Sequence, residues 1–76
     1  MYFDGQLTDI STFVQNGNTR WILTIEIQNT TIKVLAKAEL LNLITIEIII
    51  DLTIGENVSA AINERNELLD IRTIDG

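Results

Sequence analysis

The chain of 76 residues has no cysteine, no histidine and no proline. Without cysteine it can form neither a disulfide nor a thiolate metal site, and without histidine it has no imidazole to act as a general base or metal ligand. A domain of this size buries only about 60% of the surface that its unfolded chain exposes. Apolar burial must therefore stabilise it, either within one molecule or against another subunit.

Long apolar runs are also missing. No run exceeds three residues, as in Ile48–Ile50, whereas a membrane-spanning helix needs roughly 20. The N-terminal residues do not combine a basic region with an apolar run, so no signal peptide is predicted. We therefore expect a cytoplasmic protein, in the producing or an infected bacterial cell, with no membrane contact.

Basic residues are scarce. Five lysines and arginines stand against eleven aspartates and glutamates, and the net charge is −6. Residues 1–38 hold three of each sign, whereas residues 39–76 hold eight acidic and two basic residues. Because phosphate backbones attract lysine and arginine, this excess of acid makes nucleic acid an unlikely ligand of the second half.

A long first strand and a hairpin are predicted near the N-terminus. Apolar and polar residues alternate from Phe3 to about Val14, with a change of phase that a bulge at Thr8–Asp9 would explain. Asn16-Gly17 then separates two apolar runs, and both residues tolerate positive φ. These features predict a tight turn between two antiparallel strands.

The second strand is predicted over Arg20–Gln28, where the alternation is most regular. Trp21, Leu23, Ile25 and Ile27 would share one face, and Trp21 is expected in the core. Over Thr31–Leu41 good helix formers favour a helix. The same residues also alternate as a strand would, so a strand followed by a short helical turn is the alternative.

Two further elements are predicted in the second half. Ile44–Leu52 alternates between an isoleucine-rich face and a more polar one, which predicts a strand. Glu56 to about Leu69 predicts a helix with Asn57 as its cap, and Asp70–Asp75 weakly predicts a short last strand. An exposed strand at Ile44–Leu52 would be an aggregation hazard, so it should be covered by a helix or by a partner.

Together these elements predict one α+β domain over residues 1–76. The order is β-β-α-β-α, with or without a final β, and the small antiparallel sheet would carry one or two helices on one face. A small all-β barrel is the alternative. A sheet with apolar residues on both faces, in so short a chain, also predicts homo-oligomerisation or docking of a partner.

Catalytic and cofactor sites are not predicted. Glu47 and Asp51 would lie on one solvated strand face, whereas acid–base catalysis needs two carboxyls in different environments. Ser11 and Ser59 have no histidine to activate them. The sequence contains no phosphate-binding glycine loop and no calcium-loop spacing. We therefore expect a protein that is not an enzyme and holds neither a cofactor nor a metal.

Three β-rich segments suggest a relationship. Phe3–Ser11, Leu23–Ile27 and Ile44–Ile48 occur in an order that resembles the start of small bacteriophage proteins of the NinB-like recombination-accessory type. The resemblance covers residues 3–48 and implies an accessory role in phage recombination. That pattern would continue with a basic helix containing aromatic residues, whereas Glu56–Leu69 is acidic and has none. No functional residue is transferred for this reason.

The sequence thus predicts a small, acidic, non-enzymatic protein-interaction module encoded by a phage or mobile element. A sharper hypothesis is that its acidic helix mimics nucleic-acid phosphates and inhibits a host nucleic-acid-binding protein. The candidate partner-binding residues are Glu56, Glu64, Glu67 and Asp70. A homo-oligomeric assembly subunit and a nucleic-acid-binding accessory protein are the alternatives.

Overall fold

A computed structural model describes residues 1–74. Its elements in chain order are β1 (Tyr2–Gln15), β2 (Asn18–Ile27), β3 (Thr30–Lys37), a 3₁₀ turn (Ala38–Leu40), α1 (Leu43–Asp51), β4 (Asn57–Ile62) and β5 (Leu68–Thr73). The five strands form one sheet in the order β3-β2-β1-β4-β5, and every neighbouring pair is antiparallel. Residues 1–74 therefore form an open antiparallel sheet with one α-helix.

The β1–β2 hairpin is confirmed. Asn16 and Gly17 have φ values of 53° and 79°, as a two-residue turn with two left-handed positions requires. The predicted bulge is confirmed as well, because the register of β1 against β2 shifts between Leu7 and Asp9. Gln28 and Asn29, with φ values of 48° and 69°, form a second turn of the same kind between β2 and β3.

Strand β1 is shared by the two halves of the sheet. It pairs with β2 along most of its length and with β4 over Tyr2–Gln6. A Cβ atom at Gly5 would lie 2.5 Å from Ile25 Cγ2 and 2.7 Å from the carbonyl oxygen of Glu26. Glycine is therefore required at this contact between β1 and β2.

The two edge strands, β3 and β5, meet at one point. Leu35 and Glu67 form a single parallel bridge, and the Leu35 N–H donates to the Asn66 carbonyl at 2.9 Å. Lys37 forms an ion pair with Glu67 beside this bridge. One bridge does not close the sheet, and the chain also has a helix, so the all-β barrel alternative is not the structure observed.

One face of the sheet and the inner side of α1 together form the core. Its buried members come from all five strands and from α1, and they are Leu7, Trp21, Leu23, Ile25, Val34, Ala36, Ile49, Val58, Ala60, Leu68 and Ile71. The alternation predicted for β2 is confirmed, since Trp21, Leu23 and Ile25 are buried.

The helix predicted over Thr31–Leu41 is wrong, and the alternative of a strand followed by a short helical turn is correct. Val34 and Ala36 are fully buried on β3, which pairs with β2 along eight residues. Sheet hydrogen bonds and burial override the helix propensity of alanine, lysine and glutamate here. Helical geometry is limited to the 3₁₀ turn.

The strand predicted over Ile44–Leu52 is also wrong, because this segment forms α1. The Asn42 side chain caps the helix by accepting the Thr45 N–H at 2.8 Å. Thr45 and Ile49, four residues apart, are buried together, as one face of a helix requires and a strand does not. The alternation was misleading because Ile48–Ile50 places isoleucine at odd and even positions alike, which a strand with one apolar face would not do.

The helix predicted over Glu56–Leu69 is wrong, since β4, a turn and β5 occupy this segment. Val58 and Ala60 alternate into the core as strand residues. The Asn63 side-chain oxygen accepts the backbone N–H groups of Arg65 and Glu67, which bends the chain between the strands. The predicted last strand is confirmed as far as Thr73 within β5, and Asp75 lies outside the described residues.

Candidate functional site

The outward side of α1 is the most unusual surface of the described residues. Leu43, Ile44 and Ile50 are 76%, 71% and 66% exposed. With Glu47 and Asp51 they occupy about 120° of the helix circumference, and we call these five residues the α1 outer face. Leu40 and Ile54, at either end of the helix, are exposed as well. The apolar side chains of a helix on a protein surface normally face the core, whereas Leu43, Ile44 and Ile50 face outward.

The rotation of α1 is fixed from its inner side. Thr45 and Ile49 are almost completely buried, and the Thr45 hydroxyl donates to Asp70 of β5 at 3.2 Å. The Asn42 cap fixes the first turn of the helix. Because the inner side is held by these contacts, the α1 outer face cannot turn inward to bury its isoleucines.

An acidic groove borders the α1 outer face. It has a volume of about 400 Å³ and is lined by Ile44, Glu47, Ile48, Asp51, Glu56 and Thr73. Three carboxylates and two isoleucines thus share one concave surface, and no lysine or arginine lines it. The groove can attract cations, and the isoleucines beside it can accept apolar side chains.

The four residues predicted from the sequence do not share a helix face. Glu56 lines the acidic groove, and its carboxylate accepts the Thr53 N–H at 2.6 Å. Glu64 is exposed in the turn between β4 and β5. Glu67 is buried against Lys37 and Asn63, and Asp70 accepts hydrogen bonds from Tyr2 and Thr45. Glu56 alone borders the α1 outer face.

The carboxylates of Glu67 and Asp70 stabilise the fold directly. Hydrogen bonds from Lys37 and then from Asn63 lower the pKa of Glu67. The Tyr2 hydroxyl, followed by the Ile71 N–H and the Thr45 hydroxyl, lowers the pKa of Asp70. Hydrogen bonding by Arg20 lowers the pKa of Glu39 in the same way. These groups bind within the molecule and are poorly placed to bind a partner.

The two carboxylates of the α1 outer face share one kind of environment. Glu47 and Asp51 lie one helical turn apart on an exposed surface, without the contrast in environment that paired acid–base catalysts need. Within residues 1–74 no three aspartate, glutamate, histidine or cysteine side chains are grouped to hold a metal ion. Nor does any helix in that range have the length and apolar content to cross a membrane.

Sequence reasoning missed the α1 outer face because it placed Ile44–Leu52 in a strand. The signal that could have revealed the helix is Asn42, a good N-cap residue, which precedes a segment with apolar residues at both odd and even positions. From a helical wheel, Leu43, Ile44 and Ile50 then fall opposite Thr45 and Ile49.

Comparison of the chain with protein-family models, with curated proteins and with solved structures gives no match. The resemblance of residues 3–48 to NinB-like proteins therefore stays a prediction from the sequence, and the fold and the α1 outer face are the basis for any functional conclusion.

Proposed function

We propose that the protein is a small non-enzymatic interaction module that docks a protein partner on the α1 outer face. The observation that carries this proposal is the exposure of Leu43, Ile44 and Ile50 on a helix held rigidly from its other side. Contiguous exposed apolar side chains rimmed by polar ones mark interaction sites. Complete burial of each such side chain contributes about 1.5–3 kcal/mol, so three of them can serve as the anchors of an interface.

The partner is a protein with an apolar strip flanked by lysine or arginine. Glu47, Asp51 and Glu56 give this side of the molecule negative charge, and the whole chain carries −6. A second copy of the same face would bring like charges together, which disfavours it. A basic surface of a host nucleic-acid-binding protein fits this chemistry, as expected for an inhibitor encoded by a phage or mobile element.

Neutral substitutions test the apolar part of this surface. Leu43→Ser and Ile50→Ser remove anchors without adding charge, and Leu69→Ser is the matched control because Leu69 is an exposed leucine outside α1. Protein captured from bacterial lysate at low salt would be identified and purified, and its affinity for each variant measured by calorimetry. We expect at least a tenfold loss for Leu43→Ser and Ile50→Ser and no change for Leu69→Ser.

Charge and salt test the acidic part. Glu47→Gln with Asp51→Asn should slow association several-fold at low salt and have little effect at high salt, because charge steering is screened. Recovery of no partner at low salt would overturn the proposal. So would a partner that binds Leu43→Ser and Ile50→Ser as tightly as it binds Leu69→Ser and the unmodified protein.

A second surface favours the alternative of a nucleic-acid-binding accessory protein. An apolar cleft of about 350 Å³ on the outer side of β1–β3 is lined by Phe13, Ile22, Lys33, Val34, Leu35, Arg65 and Asn66. Neither Lys33 nor Arg65 forms an ion pair within residues 1–74. An exposed aromatic ring beside cations is the arrangement that stacks and neutralises single-stranded nucleic acid.

The connectivity of the sheet supports this second candidate. The sheet is open, but its five strands and the one parallel bridge between β3 and β5 are features of the partly open oligonucleotide-binding barrel, which binds on strands 2 and 3. Fluorescence anisotropy with a labelled single-stranded oligonucleotide at low salt tests it. Phe13→Ala and Lys33→Gln should each weaken binding, and Leu69→Ser should not. Absence of binding by the unmodified protein would exclude it.

A further inference from the structure

Strand β1 has β2 on one side and the shorter strand β4 on the other, and its C-terminal half extends beyond β4. Tyr2–Gln6 pair with β4, whereas Asp9–Gln15 pair with β2 alone. On the side of β4, the last backbone hydrogen bonds of β1 are at Leu7, whose N–H and carbonyl bond to Glu56 and Gly55. Among the described residues nothing pairs with β1 on this side after Leu7. We call Asp9–Gln15 the β1 free edge.

The register shows which backbone groups this edge presents. Gln15 and Asn18 close the two-residue turn, and such a closing pair exchanges its hydrogen bonds. Hydrogen-bonded and non-hydrogen-bonded pairs then alternate along the hairpin. The N–H and carbonyl groups of Ile10, Thr12 and Val14 therefore point away from β2, toward open space.

After Asp9, the β1 free edge lacks charged residues and proline, two of the devices that normally protect a sheet edge. Ile10–Thr19 contains no charged residue and is the longest such stretch in the chain, which also has no proline. Isoleucine, threonine, phenylalanine and valine give the edge high β propensity. Val14 is 70% exposed and Phe13 is 37% exposed. Unprotected edges of this kind are templates for another strand.

We propose that the β1 free edge pairs with the same edge of a second copy of the chain. The two strands run antiparallel about a two-fold axis at Thr12 and join two sheets into one of ten strands. In this register Ile10 of one copy lies opposite Val14 of the other, and Ser11 lies opposite Phe13. The exposed Val14 thereby acquires an apolar neighbour, and the interface is isologous.

The near-neutral charge of the β1 free edge makes it the surface at which two copies can meet. Each chain carries −6, so most contacts between copies oppose like charges. The β1 free edge is neutral apart from Asp9, and in the proposed register Asp9 lies opposite the uncharged Gln15. A single pair of strands buries less than the roughly 1,200 Å² of a standard interface, which is typical of weak association. We therefore expect a dissociation constant on the order of tens of micromolar. This proposal is independent of the α1 outer face.

Sedimentation velocity from about 5 to 500 μM tests the proposal across that affinity range. Thr12→Pro removes the outward N–H at the centre of the interface and no hydrogen bond to β2, whereas Thr12→Val keeps the N–H. We expect dimers for the unmodified protein and for Thr12→Val, and at least a tenfold smaller dimer fraction for Thr12→Pro. Circular dichroism would show that each variant is folded.

Cross-linking keeps the test decisive if Thr12→Pro does not fold. The natural chain has no cysteine, so single cysteines report on one position each. Residues opposite each other in a hydrogen-bonded pair have Cα atoms about 5.5 Å apart, which suits a disulfide. Thr12→Cys should therefore oxidise to a covalent dimer at least tenfold faster than Val14→Cys, while a mixture of Ile10→Cys and Val14→Cys should form the mixed dimer.

Three results would overturn the proposal. The first is a monomer at every concentration, and the second is equal oxidation of Thr12→Cys and Val14→Cys. The third is a dimer that Ile50→Ser abolishes and Thr12→Pro leaves intact, because self-association would then use the α1 outer face.

Discussion

Two segments with almost the same sequence pattern, β2 and α1, fold into different structures. Arg20–Gln28 and Ile44–Leu52 both alternate between an apolar and a more polar set of residues. In β2 the apolar set faces the core, as its alternation predicts. In α1 the buried residues are Thr45 and Ile49, which belong to the more polar set of that pattern. Alternation therefore predicts a strand only when the neighbouring strands are there to bond it.

The difference follows from the contacts available to each segment. β2 lies between β1 and β3 and satisfies its backbone on both sides. Ile44–Leu52 follows the meander of β1, β2 and β3 and packs against β5 instead of pairing with a strand. A helix satisfies its own backbone, so it is the structure that can cover the core without a place in the sheet.

The largest expected effect separates the two sides of α1. Ile49→Ala should lower the free energy of unfolding by about 3 kcal/mol, because Ile49 is buried in the core, as should Leu23→Ala in β2. Ile50→Ala should change it by less than about 0.5 kcal/mol, since Ile50 is exposed. Urea denaturation measures the three values. If Ile50→Ala were the more costly of the two isoleucine changes, the segment would be a strand.

The cap of α1 gives a smaller effect. Asn42→Ala should lower the free energy of unfolding by about 1 kcal/mol because the Thr45 N–H loses its acceptor. Asn42→Ser should retain most of the stability, since serine also caps helices. Chemical denaturation of both variants measures this, and equal values for them would mean that the cap does not decide between helix and strand.

Acid should weaken the hydrogen-bonded contact between Thr45 of α1 and Asp70 of β5. The pKa of Asp70 is lowered in the folded protein, chiefly by the Tyr2 hydroxyl. Its contribution is therefore complete above the unfolded pKa of about 4 and is lost as the pH falls through the lower folded value. The Tm should decline over that acid window, and Asp70→Asn should decline less steeply. The pKa of Glu67, at the contact between β3 and β5, is lowered as well. The Tm of Glu67→Gln should therefore also decline less steeply with acid than that of the unmodified protein.

A matched loss of Tm with acid in the unmodified protein and in both variants would contradict this account. Arg20–Glu39 would then be the pair to examine, because the pKa of Glu39 is also lowered. Raised salt is a useful control, since it screens exposed pairs more than buried hydrogen bonds.

The candidate site could be predicted only in part. The acid excess of residues 39–76 indicated a negative surface, and Glu56 does line the acidic groove. Glu67 and Asp70 could not be excluded from the sequence, because their partners Lys37 and Tyr2 are remote along the chain. The exposure of Leu43, Ile44 and Ile50 depends on the helical rotation that Thr45 and Ile49 fix.

The sequence by itself determined the features that depend on near neighbours. Asn16-Gly17 specified the hairpin, the change of phase near Thr8–Asp9 specified the bulge, and the alternation of Arg20–Gln28 specified β2. Turn chemistry acts over a few residues, so local composition is sufficient for it. The absence of cysteine and histidine, and the acid excess, are likewise properties of the chain alone.

The tertiary structure alone decided the second half and the surfaces. Whether Ile44–Leu52 became a strand or a helix, and whether Val58 and Ala60 paired in a sheet, depended on contacts with strands that are remote along the chain. The β1 free edge also exists only because β4 is shorter than β1. Pairing between remote strands takes precedence over local propensity, since buried backbone groups must find hydrogen-bond partners wherever the fold provides them.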